Sequence, residues 1–161
     1  MSGSSRSPGD VRIRDVRDGD VEVFFEHQRD PGAVRMAAVP SREWEAYAAH
    51  WRRLRADDTV VKRTILVDGQ VAGNLVSWEQ SGRRHVGYWV GRDHWGRGVA
   101  TRALALFLTH VRSRPLYADV AVHNIGSMRV LEHCGFRRVD SGTSPSAPVD
   151  GVEEVTFVLE R

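Results

Sequence analysis

Val90 to Leu104 reads VGRDHWGRGVATRAL, and the reading of this stretch decides the fold. Two glycines flank Arg97, and directly after them VATRALALFLTHVRS is apolar nearly all round, the pattern of a buried helix. RRHVGYWV before it has the composition of a strand. The motif is therefore strand, short loop, helix, with Gly96, Arg97, Gly98, Val99 and Ala100 around the first helical turn. The opening amides of a helix lack internal acceptors and lie at the positive end of its dipole. Such a turn suits an anion, a phosphate above all.

Two common phosphate loops fit poorly. A P-loop needs lysine and a hydroxyl after its second glycine, and Arg97 and Gly98 stand there instead. A dinucleotide fingerprint is matched by Gly96 and Gly98, with Asp119 near the ribose-binding distance, but Thr101 replaces the third glycine. Dinucleotide binding stays open only as a lesser alternative.

Working outward, VVKRTILVDG, QVAGNLVSWEQ and RRHVGYWV read as three strands joined by the turn pairs Asp68-Gly69 and Ser81-Gly82, an antiparallel meander. Upstream, VRIRDV alternates like a strand and DVEVFFEHQRD has helical spacing. Ser41 is a good cap for a helix carrying Trp44, Tyr47, Trp51 and Leu54 on one core-facing stripe. Downstream come a strand, PLYADVAVH, and a helix, IGSMRVLEHCG, closed by Gly135. FRRVDS and EEVTFVLER follow as strands on either side of the loop GTSPSAPVDG. The expected order is β-α-α-β-β-β-α-β-α-β-β: an α/β layered domain, with a mixed, mostly antiparallel sheet and helices on its faces.

Composition narrows the classes. A chain of 161 residues suits one domain, expected over 11–161 after a disordered leader over 1–10. One cysteine, Cys134, excludes an internal disulfide and a cysteine-rich zinc site, and no metal is expected. No apolar run approaches a membrane span or a signal core, so the expected setting is cytoplasmic, with no membrane partner. The net charge is +2, and arginines alternate with acids, leaving no basic stripe for nucleic acid.

WGRGVATRAL resembles the acetyl-CoA pyrophosphate motif of the GNAT superfamily of N-acyltransferases, Q/R-x-x-G-x-G/A, with Trp95 first and Ala100 last. The tryptophan departs from that consensus. HVGYWVGRDHWGRGVATRAL together with VAVHNIGSMRVLEHCGF is similar to the ribosomal-protein-alanine N-acetyltransferase branch, where Trp is usual. The resemblance covers the whole expected domain and implies that RRHVGYWV and PLYADVAVH are central parallel strands that splay apart, with pantetheine between them. It further implies that the backbone near Trp89 and Val90 binds pantetheine and the thioester carbonyl. The amides of Gly96, Arg97, Gly98, Val99, Ala100 and Thr101 would then wrap the pyrophosphate, and Asn124 and Ser127 would complete the cofactor site. The implied cofactor is acetyl-CoA, with an amine as the second partner.

The implied chemistry is direct attack of a primary amine on the thioester, which calls for a base, oxyanion donors and an acid. His85 occupies the place where many members carry a glutamate base, and an imidazole of pKa about 6.5 can accept a proton at neutral pH. Glu79 is the reserve base, and an amine that arrives neutral is a third possibility. Many relatives use a tyrosine as acid seven residues after the asparagine, where this chain has Leu131. Ser127 is the expected acid, with Tyr88 as the other nearby hydroxyl. Asn124 is also a good N-cap, which would explain it without function. Cys134 reads as a small buried hydrophobe.

Two function classes stay open: an acetyl-CoA-dependent N-acetyltransferase acting on a protein N-terminus, an amino acid or a small amine, and a non-catalytic CoA-binding domain on the same fold. Asn124 and Ser127 favour the enzyme. Pro31 to Pro40 and Gly142 to Gly151, both read as loops, are expected to set specificity; monomer and homodimer are equally compatible with the sequence.

Overall fold

The computed structural model describes residues 9–37, 42–139 and 153–161. Its seven strands are β1 (Val11–Arg14), β2 (Val61–Val67), β3 (Gln70–Gln80), β4 (Arg83–Val90), β5 (Leu116–Ala121), β6 (Arg137–Arg138) and β7 (Glu154–Leu159). The helices are α1 (Asp20–Gln28), α2 (Pro31–Ala37), α3 (Trp44–Ala56), α4 (Val99–Phe107) and α5 (Ile125–His133). One sheet runs β1-β2-β3-β4-β5-β7-β6. Every neighbouring pair is antiparallel except β4 and β5.

The meander forms as its turn residues dictate. Asp68 and Gly69 have φ of 50° and 83°, Ser81 and Gly82 of 53° and 77°, the double positive φ of a tight hairpin that matches strand twist. The single parallel pair is short. Only Arg84 with Leu116 and His85 with Tyr117 are in register, while β5 pairs with β7 along its full length. Beyond His85 the two central strands part, and the sheet contains a fork.

Alternation along β3, β4 and β5 sends Leu75, Val86, Leu116, Ala118 and Val120 to one face, where α4 and α5 cover them with Val99, Ala103, Leu104, Phe107 and Leu131. Phe107 is fully buried, so truncation to alanine there costs about 3–5 kcal/mol. The opposite face carries a smaller core, Val21 and Phe24 of α1 against Tyr47 and Trp51 of α3. Trp44 is only at its edge, 5.2 Å from Phe25.

Some local readings differ. Pro31 to Ala37 is helix rather than loop: Asp30 caps it, its Oδ2 accepting from Ala33 N–H at 2.8 Å, and Pro31 takes the first helical position. α3 starts at Trp44 with Glu43 at the N-cap position; Pro40 and Ser41 lie outside the described residues. α4 ends at Phe107 rather than Ser113, because Thr109 folds back, its N–H and Oγ1 both donating to Leu106 O at 3.1 and 2.7 Å. Of FRRVDS, Arg137 and Arg138 are in register with β7 and Val139 N–H donates to Thr156 O at 2.9 Å, while Asp140 and Ser141 lie outside the described residues. Asp10, assigned to the leader, is already tied to the Asp68 turn by two hydrogen bonds of 3.0 Å. Residues 1–8 and the loop Gly142 to Gly151 lie outside the described residues.

Candidate active site

The fork opens into a cavity of about 770 Å³ between the end of β4, the start of α4 and the start of α5. Ladder alternation decides which backbone groups face it. Gly91 N–H bonds Ala72 O at 2.8 Å, so the N–H and C=O of Trp89, two residues earlier, also turn to β3. The groups turned to the gap are those of Tyr88 and the N–H of Val90. Val90 O accepts from Trp95 Nε1 at 2.8 Å. Trp89 is among the lining residues, and its indole Nε1 is buried with no partner among the described residues.

The loop above the fork is shaped for an anion. Gly96 and Gly98 have φ of 72° and 77°, a conformation that side-chain-bearing residues resist, and open space surrounds both. Their role is to bend the backbone, and nothing crowds them. The first helical bond of α4 runs from Arg102 N–H to Gly98 O (3.1 Å) and leaves the amides of Val99, Ala100 and Thr101 without intrahelical acceptors. Trp95 pins the loop to the strand end through the bond to Val90 O, which gives the unusual first residue of the motif a structural task. His94 Nδ1 is a further buried nitrogen at the cavity without a partner among the described residues, and Arg97 Nε is another in the same loop that the cavity does not reach. An orphan of this kind costs about 1–3 kcal/mol, which a ligand oxygen at His94 would relieve.

Across the cavity, Asn124 is the N-cap of α5, its Oδ1 accepting from Ser127 N–H at 3.1 Å. That bond fixes the backbone of Ser127. Ser127 Oγ lies 2.6 Å from Tyr88 Oη, and Tyr88 Oη also approaches Ser127 O at 3.3 Å. Burial pushes the Tyr88 hydroxyl up to about 12 despite the opposing Ser127 bond, so it is a protonated phenol at neutral pH.

The descriptive label "Acetyltransferase (GNAT) domain" belongs to the family model that matches residues 10–137. The chain belongs to the GNAT acetyltransferase family. It is 29% identical over 139 residues to the putative ribosomal N-acetyltransferase YdaF of Bacillus subtilis, a match covering 78% of this chain and 76% of that one. The uncharacterized N-acetyltransferase p20 of Bacillus licheniformis is 30% identical over 83 residues, which span 49% of this chain and less than half, 46%, of p20. Mycobacterium smegmatis RimJ, solved in complex with CoA-disulfide, superimposes with a TM-score of 0.78 at 25% identity, covering 96% of this chain and 84% of RimJ. The ribosomal-protein-alanine branch is thus among this GNAT domain's relatives, and a dinucleotide fold is ruled out by the antiparallel strand that precedes the glycines.

Of the residues singled out from sequence, Tyr88, Trp89, Val90, Gly96, Gly98, Val99, Ala100, Thr101, Asn124 and Ser127 line the cavity of this GNAT domain. His85, Glu79 and Arg97 do not. His85 sits at the last registered β4–β5 pair, on the face opposite Tyr88, stacked on Trp78 with ring centroids 5.7 Å apart. Glu79 is exposed at the far hairpin end, and pairs across the ladder with Arg84. Alternation places it on the face of Tyr88, away from His85, but at the opposite end of β4 from the cavity, which it does not line. Cys134 is half-buried, its Sγ donating to Thr101 O at 3.5 Å, and burial pushes its thiol up, away from nucleophilic character.

Sequence reasoning missed Ala33 and Met36 of α2, His94, His123, Arg129 and His133, all of which line the cavity. Gly126, Arg129, Val130 and His133 recur at helical spacing from Ser127's turn, a signal that could have placed them on one face of α5. α2 and His123 gave none: their meeting, His123 Nε2 at 2.8 Å from Arg35 O, joins segments 88 residues apart. Among the described residues no three His, Cys, Asp or Glu side chains are grouped for a metal, and no helix is long and apolar enough to cross a membrane.

Proposed function

We propose that this domain transfers the acetyl group of acetyl-CoA to a primary amine by direct attack in a ternary complex. The observation that carries the reading is the fork between β4 and β5, which opens beneath the unpaired amides of Val99, Ala100 and Thr101 and beside the Ser127 hydroxyl. A long, thin ligand with a polyphosphate at one end and a thioester at the other suits that shape. Arg129 and His133 on α5, and the nitrogens of Trp89 and His94 that have no partner among the described residues, supply cationic or donor groups for it. The CoA carried by the solved RimJ supports the same choice.

When bound, acetyl-CoA supplies an activated acyl carbon. The residues of the chain do the rest. The amides of Gly96 to Thr101 hold phosphate oxygens, and the Tyr88 and Val90 backbone groups that face the gap align the arm. The Val90 N–H is the backbone donor for the charge that develops on the acyl oxygen. With Tyr88 as the donor of the hydroxyl pair, one of its two possible directions, the Ser127 hydroxyl proton is free to stabilise the departing sulfur. Asn124 keeps that hydroxyl in place through the Ser127 N–H. His85, at the apex on the other face, takes the proton that the amine must lose.

The acceptor is an amine on a protein N-terminus, an amino acid or a small molecule. The test is acetyl-CoA turnover against a panel of such amines, read by free-thiol release, with CoA, NAD and ATP binding measured by calorimetry. CoA binding with thiol release on at least one amine is the expected result. CoA binding without turnover on any amine would leave a non-catalytic CoA-binding domain, and NAD binding in place of CoA would overturn the reading altogether.

A further inference from the structure

We propose that Asp119 is a positioning residue for His85, and that the two form the proton-accepting unit on the side of the fork opposite Ser127. The proposal rests on the acetyl-transfer reading and goes one residue deeper. Asp119 lies on β5 and is the cross-strand partner of Thr156 on β7. Thr156 Oγ1 donates to Asp119 Oδ1 at 2.7 Å, which fixes the carboxylate and leaves Oδ2 turned to His85 Nδ1 at 4.0 Å. His85 is in register with Tyr117, two residues before Asp119, so both β5 side chains share its face.

The imidazole is held on several sides. Trp78 stacks on it with an interplanar angle of 14°, Tyr117 lies tilted at 6.1 Å, and the side chain is only 12% exposed. A nearby carboxylate favours a proton on the Nδ1 edge and so leaves the lone pair on Nε2. It also favours the imidazolium once Nε2 is protonated. Near it on this face are also Tyr117, Arg83, whose guanidinium lies 4.6 Å over the Tyr117 ring, Glu154 on β7, and Arg137 on β6, which is paired with Glu160. Burial, and Asp119 beside it, push the Glu154 carboxyl up, so Glu154 takes a proton more readily than an ordinary carboxylate and competes for the one that His85 accepts.

The proton balance closes. An ammonium gives one proton to Nε2, directly or through water, and the electron pair left on nitrogen attacks the acyl carbon. The C–S bond then breaks with its electron pair going to sulfur, the second amine proton ends on the sulfur, and the imidazolium releases its proton to solvent. The products are the amide, CoA thiol and one proton.

The test uses the full chain. The His85 ring nitrogens are read by 15N NMR at a single pH in the wild type and in Asp119→Asn, with His85→Gln identifying the resonances. Asn at 119 can still accept from Thr156, so the fold is kept while the charge is lost. The expected result is a loss of the Nδ1-protonated tautomer in Asp119→Asn. A parallel fall of about tenfold in kcat/KM is expected for the best alkylamine of the panel at pH 7, with KM for acetyl-CoA unchanged. The loss shrinks for hydroxylamine, which is already neutral at that pH. An unchanged tautomer, or an equal loss with both acceptors, overturns the proposal. CoA calorimetry separates the two readings: no CoA binding by the wild type sinks acetyl transfer, whereas an unchanged tautomer with CoA binding intact sinks the role of Asp119 alone.

Discussion

Tyr88 on β4 and Ser127 on α5 are 39 residues apart in sequence, and their hydroxyl oxygens stand 2.6 Å apart at the cavity wall. The contact depends on the fork. Tyr88 belongs to the part of β4 that has already left β5, and the N-cap of α5 brings Ser127 down into the same gap. If the pair stabilises the departing thiolate as the C–S bond breaks, Ser127→Ala lowers kcat roughly 10- to 1000-fold and leaves acetyl-CoA binding nearly intact. Tyr88→Phe gives a smaller loss in the same direction. Stopped-flow kinetics decide it: wild-type kcat in Ser127→Ala with chemistry rate-limiting makes the serine an ordinary helix residue.

Thr101 sits at the third position of α4, where an acidic side chain is favoured by the helix dipole by about 0.5 kcal/mol. Thr101→Glu therefore keeps the thermal midpoint within a degree or two, yet places a carboxylate where phosphate oxygens are to sit. CoA affinity is expected to fall at least 100-fold by calorimetry. Unchanged affinity would move the pyrophosphate away from this turn.

Asn124 can be separated into its two roles. Asn124→Ala removes the cap on Ser127 N–H and costs about 1 kcal/mol, whereas Asn124→Asp keeps the acceptor and loses only the amide donor. Chemical denaturation and CoA titration of both variants are the measurement. Weakened CoA binding in Asn124→Asp at full stability assigns the donor to the ligand; unaffected binding leaves Asn124 as a cap alone.

Away from the site, Asp20 at the start of α1 predicts an acid-sensitive fold. Burial pushes its carboxyl up, but bonds from Arg14 (2.6 and 3.0 Å), Thr64 (2.7 Å) and Arg17 N–H (2.8 Å) outweigh this and hold it below the usual carboxylate range. A depressed folded-state pKa means a contribution fully present above the unfolded value, near 4, and lost as pH falls through the folded one. Asp20→Asn should cost about 2–3 kcal/mol at pH 7, and the gap to wild type should narrow below about pH 4. Melting curves from pH 3 to 7 test this. A gap that is constant with pH would assign the loss to packing.

Much of this architecture is legible in the sequence because it depends on near neighbours. The hairpins follow from Asp68-Gly69 and Ser81-Gly82, the helix start from Gly98, the second cap from Asn124. The short helix after Asp30-Pro31 had the same local signal, and Gly32 concealed it. α4 ends before the expected Ser113 because Thr109 folds back onto Leu106 through a bond that periodicity does not register, and α3 starts at Trp44 with a Glu43 N-cap whose side chain makes no cap bond.

The site divides along the same line. The glycine turn, Asn124 and Ser127 come from short local motifs, and the sequence by itself determined that an anion-binding helix start and a capped second helix exist. Tertiary structure alone decided that they face one another across a gap between two parallel strands. It also decided that Tyr88 and His85, three residues apart on one strand, stand on opposite faces, and that Glu79 stands away from both approaches. The physical reason is the fork. A closed sheet would leave no room there, whereas strands paired at two positions and then parted open a gap beside the Tyr88–Ser127 hydroxyl pair on one face, with His85 and Asp119 at its apex on the other.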